Sequence, residues 1–91
     1  MRAFGGRGDG PGQFQKPFGA CVGPDGEIFV SDWGRNDVQV FQEDGTLVGR
    51  IGGGGEGGIV LEQPTGLAVD GDGRLFVGCF GSSRVQIVEE S

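Results

Sequence analysis

The chain has 91 residues, with 7 basic side chains against 13 acidic ones and a net charge of -6. That allows one small domain and argues against a partner gripped by its phosphate backbone. His and Tyr are absent, which removes the commonest general base and the commonest metal ligand, so neither catalysis nor a cofactor is expected. Glycine supplies 22 residues without the three-residue period of collagen, and 35% hydrophobic residues are too many for a disordered linker.

In chain order, Pro17-Phe18-Gly19-Ala20-Cys21-Val22 is a short apolar run behind a proline and reads as a strand. Gly23-Pro24-Asp25-Gly26 reads as a turn, because proline presets φ and glycine supplies a positive one. Glu27–Ser31 is a second strand, Asp32–Asn36 a loop, and the alternating Asp37-Val38-Gln39-Val40-Phe41 a third strand. Glu43-Asp44-Gly45 signals a hairpin, Thr46–Ile51 a fourth strand, and Gly52–Gly58 a glycine-rich link. No stretch carries helical periodicity or a helix cap.

The chain then repeats. Phe4–Asp44 aligns with Ile51–Ser91 without a gap, keeping Pro17/Pro64, Gly19/Gly66, Asp25/Asp72, Gly26/Gly73, Phe29/Phe76, Val38/Val85 and Gln39/Gln86 identical. Four short antiparallel strands with a period in the forties make one propeller blade. Such a blade packs on neighbours through both faces, which explains strands such as Ile28-Phe29-Val30 that are apolar on both sides. The expected fold is all-β: residues 7–53 form the first blade, 54–91 the second, and 1–6 an outer strand for a neighbour.

The order Gly12-Gln13-Phe14, Pro17-x-Gly19, Pro24-Asp25-Gly26, Ile28-Phe29-Val30, Asp32-Trp33-Gly34 and Val38-Gln39-Val40-Phe41 closely resembles the NHL repeat. The resemblance covers essentially the whole chain as two repeats. The second departs from it where Val60-Leu61 replaces Gln13-Phe14 and Cys79-Phe80 replaces Asp32-Trp33. The resemblance implies a propeller, commonly of six blades, that acts as a protein- or ligand-binding module. It also implies two alternatives: a module binding single-stranded RNA on a basic face, and a lyase-like enzyme with a metal in the central channel.

Two blades leave apolar faces to be covered. The second unit stops before its fourth strand, whereas Met1, Arg2, Ala3, Phe4 and Gly5 match Val48–Gly52, the latter half of that strand. The expectation is self-assembly: the copies share a blade, Val85 and Ile87 lie on the receiving strand, and a homotrimer of six blades is favoured over a tetramer of eight. A fragment of a longer propeller, or a designed chain, would show the same pattern. No apolar run approaches a membrane span and no signal-peptide shape is present, so no membrane partner is expected and a cytoplasmic location is favoured.

Trp33, Arg35 and Phe80 are the candidate binding residues, because loops between the second and third strands of each unit bring them to one end of the ring and Trp and Arg are rich in binding energy. The competing role of Trp33 and Phe80 is to fill the gap between blades. Asp32 is expected to accept bonds from loop N–H groups around Gly34 and Asn36. The carboxylates Asp32, Asp37 and Glu27 are placed at different ends of the blade, too dispersed for acid–base work. Arg7-Gly8-Asp9 and the glycine run 53–58 read as links, Asp70-Gly71-Asp72-Gly73 as a turn rather than a calcium loop, and Cys21 and Cys79 as unpaired thiols.

Overall fold

The computed structural model describes residues 6–8, 10–52 and 61–88. Seven strands follow in order: β1 Pro17–Val22, β2 Ile28–Asp32, β3 Asp37–Phe41, β4 Leu47–Gly52, β5 Pro64–Val69, β6 Leu75–Cys79 and β7 Arg84–Val88. They form two antiparallel meanders, β1-β2-β3-β4 and β5-β6-β7. The first has the four strands of a propeller blade in order, the second the first three of them, and the described residues contain no helix. The second strand begins one residue later than the sequence suggests and includes Asp32; the fourth runs on to Gly52. Residues 1–5 and the blade boundary at 53/54 lie outside the described residues.

The hairpins follow from their turn residues. In three of them, β1–β2, β3–β4 and β5–β6, a glycine with positive φ closes the turn and donates to the carbonyl three residues back: Gly26 to Gly23 at 3.0 Å, Gly45 to Gln42 at 2.9 Å and Gly73 to Asp70 at 3.1 Å. An L side chain at φ +84, as at Gly26, would strain the backbone, so glycine fixes where each strand reverses. Gly52 has a second reason to be glycine. Its φ is +77, and a Cβ there would come within 3.0 Å of the Asn36 carbonyl oxygen and the Leu61 side chain.

The register sorts each sheet into two faces. Cys21, Phe29, Val40, Ser31, Val38 and Ile51 share one face of the first sheet, since Phe29 pairs with Cys21 and Val40, and Val38 with Ser31 and Ile51. This face meets Leu75, Val77 and Cys79 of β6, and Leu61 joins them in one core. The opposite face carries Gln39, Phe41 and the pair Asp32–Asp37, and is covered by the segment before β1. Phe14 lies on Phe41 with ring centroids 5.7 Å apart. Gly12 N–H donates to Gln39 Oε1 at 2.9 Å, and Gln39 Nε2 donates to the Gln13 carbonyl at 2.6 Å. Phe14 and Leu61 are equivalent in the repeat, and both are buried. Each is the plug on the leading face of its own blade, and burying such a side chain stabilises by about 1.5–3 kcal/mol.

The corresponding outer face of the second blade is open. Phe29, Val38 and Val40 are 8%, 0% and 8% exposed, whereas their equivalents Val85 and Ile87 are 68% and 57% exposed and Phe76 is only half-buried.

Candidate functional site

The loops at residues 33–36 and 80–83 sit at the same end of the two sheets. Both hold one residue in the left-handed region, Asn36 at φ 57 and Ser83 at φ 54. Both are anchored to the segment entering their blade, with Trp33 N–H donating to the Lys16 carbonyl and Phe80 N–H to the Gln63 carbonyl, each at 3.0 Å. In the first blade Asp32 reinforces this anchor. Its carboxylate accepts from Gln15 N–H at 2.7 Å, Lys16 N–H at 3.0 Å and Arg35 N–H at 3.1 Å. The structural role expected for Asp32 is there: the loop donor is Arg35 N–H, between Gly34 and Asn36, and Gln15 and Lys16 of the entering segment add two more. In the second blade Cys79 stands in its place. The gap is met differently: Gly81 N–H donates to the Glu62 carbonyl at 3.1 Å, and Gln63 N–H donates to Asn36 Oδ1 of the first blade at 3.0 Å.

These anchors aim three aromatic rings along one end of the molecule. Phe18 meets Trp33 edge-on with centroids 6.4 Å apart, and Trp33 meets Phe80 at 6.2 Å. The outer two rings are 61% and 70% exposed. Trp33 and Phe80 occupy equivalent repeat positions, so the row passes from one blade to the next and Trp33 serves both as packing and as exposed aromatic surface. Phe18 was not among the candidates; its place beside Trp33 follows from the pairing of Pro17 with Asp32.

Arg35 is not part of this row. Its guanidinium turns into the first blade, where Nη1 donates to the carbonyls of Gly10 at 2.7 Å and Gln13 at 2.6 Å and Nε lies 3.3 Å from Asp37 Oδ2. Arg50 Nε reaches the same oxygen at 2.7 Å. Asp32 and Asp37 are cross-strand partners at one end of the blade, which corrects their expected separation. The reason is the four-residue loop between them, which returns the chain directly opposite itself. Burial pushes the Asp37 carboxyl above its ordinary value; the bond from Arg50 and the charges of Arg35 and Arg50 pull it back only in part, and Asp32 adds to the rise. This cluster of two carboxylates and two guanidinium groups is a structural brace, with its charges spent on one another and on backbone carbonyls.

The remaining candidates are dispersed. Cys21 and Cys79 are free thiols in or against the seam between the sheets, and burial raises the Cys21 thiol. Asp70 caps its turn by accepting from Asp72 N–H and Arg74 N–H, and Arg74 Nε closes on it at 2.6 Å, so a guanidinium takes the place a calcium ion would need. Asp9 and the glycine run 53–58 lie outside the described residues. Among the described residues, no three His, Cys, Asp or Glu side chains converge as metal ligands, and no helix is long and apolar enough to cross a membrane. Val85 and Ile87 lie exposed on β7, the edge of the three-stranded sheet.

A family profile described as NHL repeat matches residues 14–41 and again 61–88, the two blades in register. Over 47 residues, 52% of the chain, the sequence is 38% identical to Protein lin-41 of Caenorhabditis elegans, of which it covers 4%. Over 44 residues, 48% of the chain, it is 46% identical to E3 ubiquitin-protein ligase TRIM71 of Xenopus tropicalis, of which it covers 5%. The ligase activity in that name is the relative's own.

Proposed function

Because this chain belongs to the NHL repeat family, we propose that it is a non-catalytic binding module which closes a propeller ring with other copies of itself. Three copies joined head to tail supply six blades, and the aromatic end of the ring takes a protein partner. The observation that carries this reading is the contrast between equivalent positions. Val38 and Val40 are buried because a second blade covers them, while Val85 and Ile87 present the same apolar face to solvent. The surface that covers Val38 belongs to the leading face of a blade, and the first blade of another copy offers its equivalent. Head-to-tail contacts of this kind close if the rotation fits. In such a ring Phe80 would meet the next copy's Trp33 as Trp33 meets Phe80, making the aromatic row continuous. The strand partner of β7 would come from residues 1–5, whose sequence matches Val48–Gly52.

Native mass spectrometry of the chain tests this directly. A species of three chain masses is expected, and four would change only the ring size. A monomer at micromolar concentration overturns self-assembly and assigns the open face to another blade of a longer chain. Trp33 is the only tryptophan, so its emission reports binding at the aromatic end of whatever ring forms.

A second reading, binding of single-stranded RNA, is favoured by the distribution of charge. Arg35, Arg74 and Arg84 do not cluster on one face. Arg35 faces inward and Arg74 is held by Asp70 at the hairpin end. Yet among the described residues Arg7, Lys16 and Arg84 are exposed at the aromatic end, with Glu62 the exposed acid beside them, while Asp25, Glu27, Glu43, Asp44, Asp70 and Asp72 occupy the turns at the opposite end. Four of these acids line an open pocket of 480 Å³. The net charge therefore does not weigh against an anionic partner at the aromatic end, where bases could stack. Titration with an oligonucleotide of RNA at low salt should quench Trp33; an unchanged emission ends this reading.

A further inference from the structure

The two seams of the ring are not alike. Inside one chain, the seam between the blades has an apolar core, and side-chain hydrogen bonds of Ser31 and Asn36 cross it. Ser31 Oγ donates to the Thr65 carbonyl at 2.6 Å, and Asn36 Oδ1 accepts from Gln63 N–H at 3.0 Å. On the open face of the second blade the equivalent residues are Gly78 and Ser83. Gly78 has no hydroxyl to donate. The bond made by Asn36 also has no counterpart to make, because the N–H equivalent to that of Gln63 belongs to Lys16, which already donates to its own Asp32. The first blade caps its entering segment itself; the second, with Cys79 in place of Asp32, borrows its cap from the first.

From this we infer that the open face of β5–β7 docks a second copy of this chain by way of Phe76, Val85 and Ile87, without the two side-chain hydrogen bonds that lock the inner seam, so that a ring opens and exchanges subunits at this seam while the seam inside each chain stays shut. The inference rests on the ring reading above and goes further by naming the joint that yields. The pair of blades is then the exchangeable unit, and the ring is a reversible assembly whose closure can be set by concentration or by a ligand that spans two copies.

Gly78→Ser tests the inference by gain of function. The position has ordinary negative φ, and an added Cβ would lie 3.4 Å from Thr65 Oγ1, a normal contact. The new hydroxyl stands where Ser31 stands in the inner seam and can donate to the next copy's Phe18 carbonyl. Mixing isotopically labelled and unlabelled rings and following mixed species by native mass spectrometry should show exchange slowed at least about fivefold, the worth of one net hydrogen bond. Rings that form but exchange no slower with Gly78→Ser overturn the inference and leave the ring reading standing. Chains that remain monomeric overturn the ring reading itself. Val85→Asp keeps the test sharp if Gly78→Ser misfolds: it alters an already exposed side chain, so a folded monomer that no longer forms rings supports the named face, and rings that persist overturn it.

Discussion

The first blade and the second have the same turns, the same register and largely the same strand residues, yet only one of them is enclosed. Phe29, Val38 and Val40 are core residues; Phe76, Val85 and Ile87, of the same chemistry and in the same places, are not. Burial here is set by what stands next to a sheet, and one chain contains both the covered and the uncovered case. The polar residues differ in a matching way. The enclosed blade has Ser31, Asp32, Asp37 and Gln39 in its interior, every one of them hydrogen-bonded or ion-paired. The open blade has Gly78, Cys79, Arg84 and Gln86 at the equivalent positions, and of these Arg84 is exposed.

The comparison breaks if equivalent substitutions have equal effects. Val38→Asp puts an unpaired charge into the inner seam and should cost about 4 kcal/mol or more, unfolding the chain, while Val85→Asp should shift chain stability by only about 0.5 kcal/mol. Circular-dichroism melts of the two variants side by side decide it. Leu61→Ala removes the plug between the blades and should cost about 3 kcal/mol. A loss under about 1 kcal/mol in urea denaturation would mean the seam does not depend on it.

Asp37→Asn should cost about 2 kcal/mol by weakening the bonds from Arg50 and Arg35. Its pH dependence gives a sharper test. The folded carboxyl sits above its unfolded value, so the folded state binds more protons between the two values, and the contribution of Asp37 to stability declines as pH rises through that window. The deficit of Asp37→Asn should therefore be larger at the acid side of the window than above it. Asp70 has the opposite sign: the backbone bond from Arg74 first, then its side chain, hold it low, so its contribution is present above the unfolded carboxylate value and fades as pH falls through the folded one. Denaturation curves across the acid range for Asp37→Asn and Asp70→Asn should diverge in opposite directions. The smallest expected effect is Phe80→Ala, within about 0.5 kcal/mol for the isolated chain, because its ring is mostly in solvent; a large loss of stability would make it packing alone.

The repeat and the turns could be read from sequence because each is a local signal. Pro24-Asp25-Gly26 dictates a reversal wherever it stands, and a match that keeps register from Gly5 to Gln86 reveals two equivalent blades. The meeting of Trp33 and Phe80 followed from that equivalence. Arg35 did not, because its partners are the carbonyls of Gly10 and Gln13, and a backbone acceptor in an irregular segment leaves no mark in residue identity. The pairing of Asp32 with Asp37 was in principle legible from the length of the loop between them, but strand-end position alone suggested separation. Leu61 lies between the glycine-rich link and β5, and only its equivalence to Phe14 marks it as core.

The segregation of acids into the hairpin turns has one more consequence. The charges of the described residues make an electric dipole along the direction in which the strands run. In the proposed ring, copies joined head to tail would all point the same way, so these dipoles would add rather than cancel and one side of the ring would be the more electronegative. Such a disc approaches a charged surface in a preferred orientation before any contact is made.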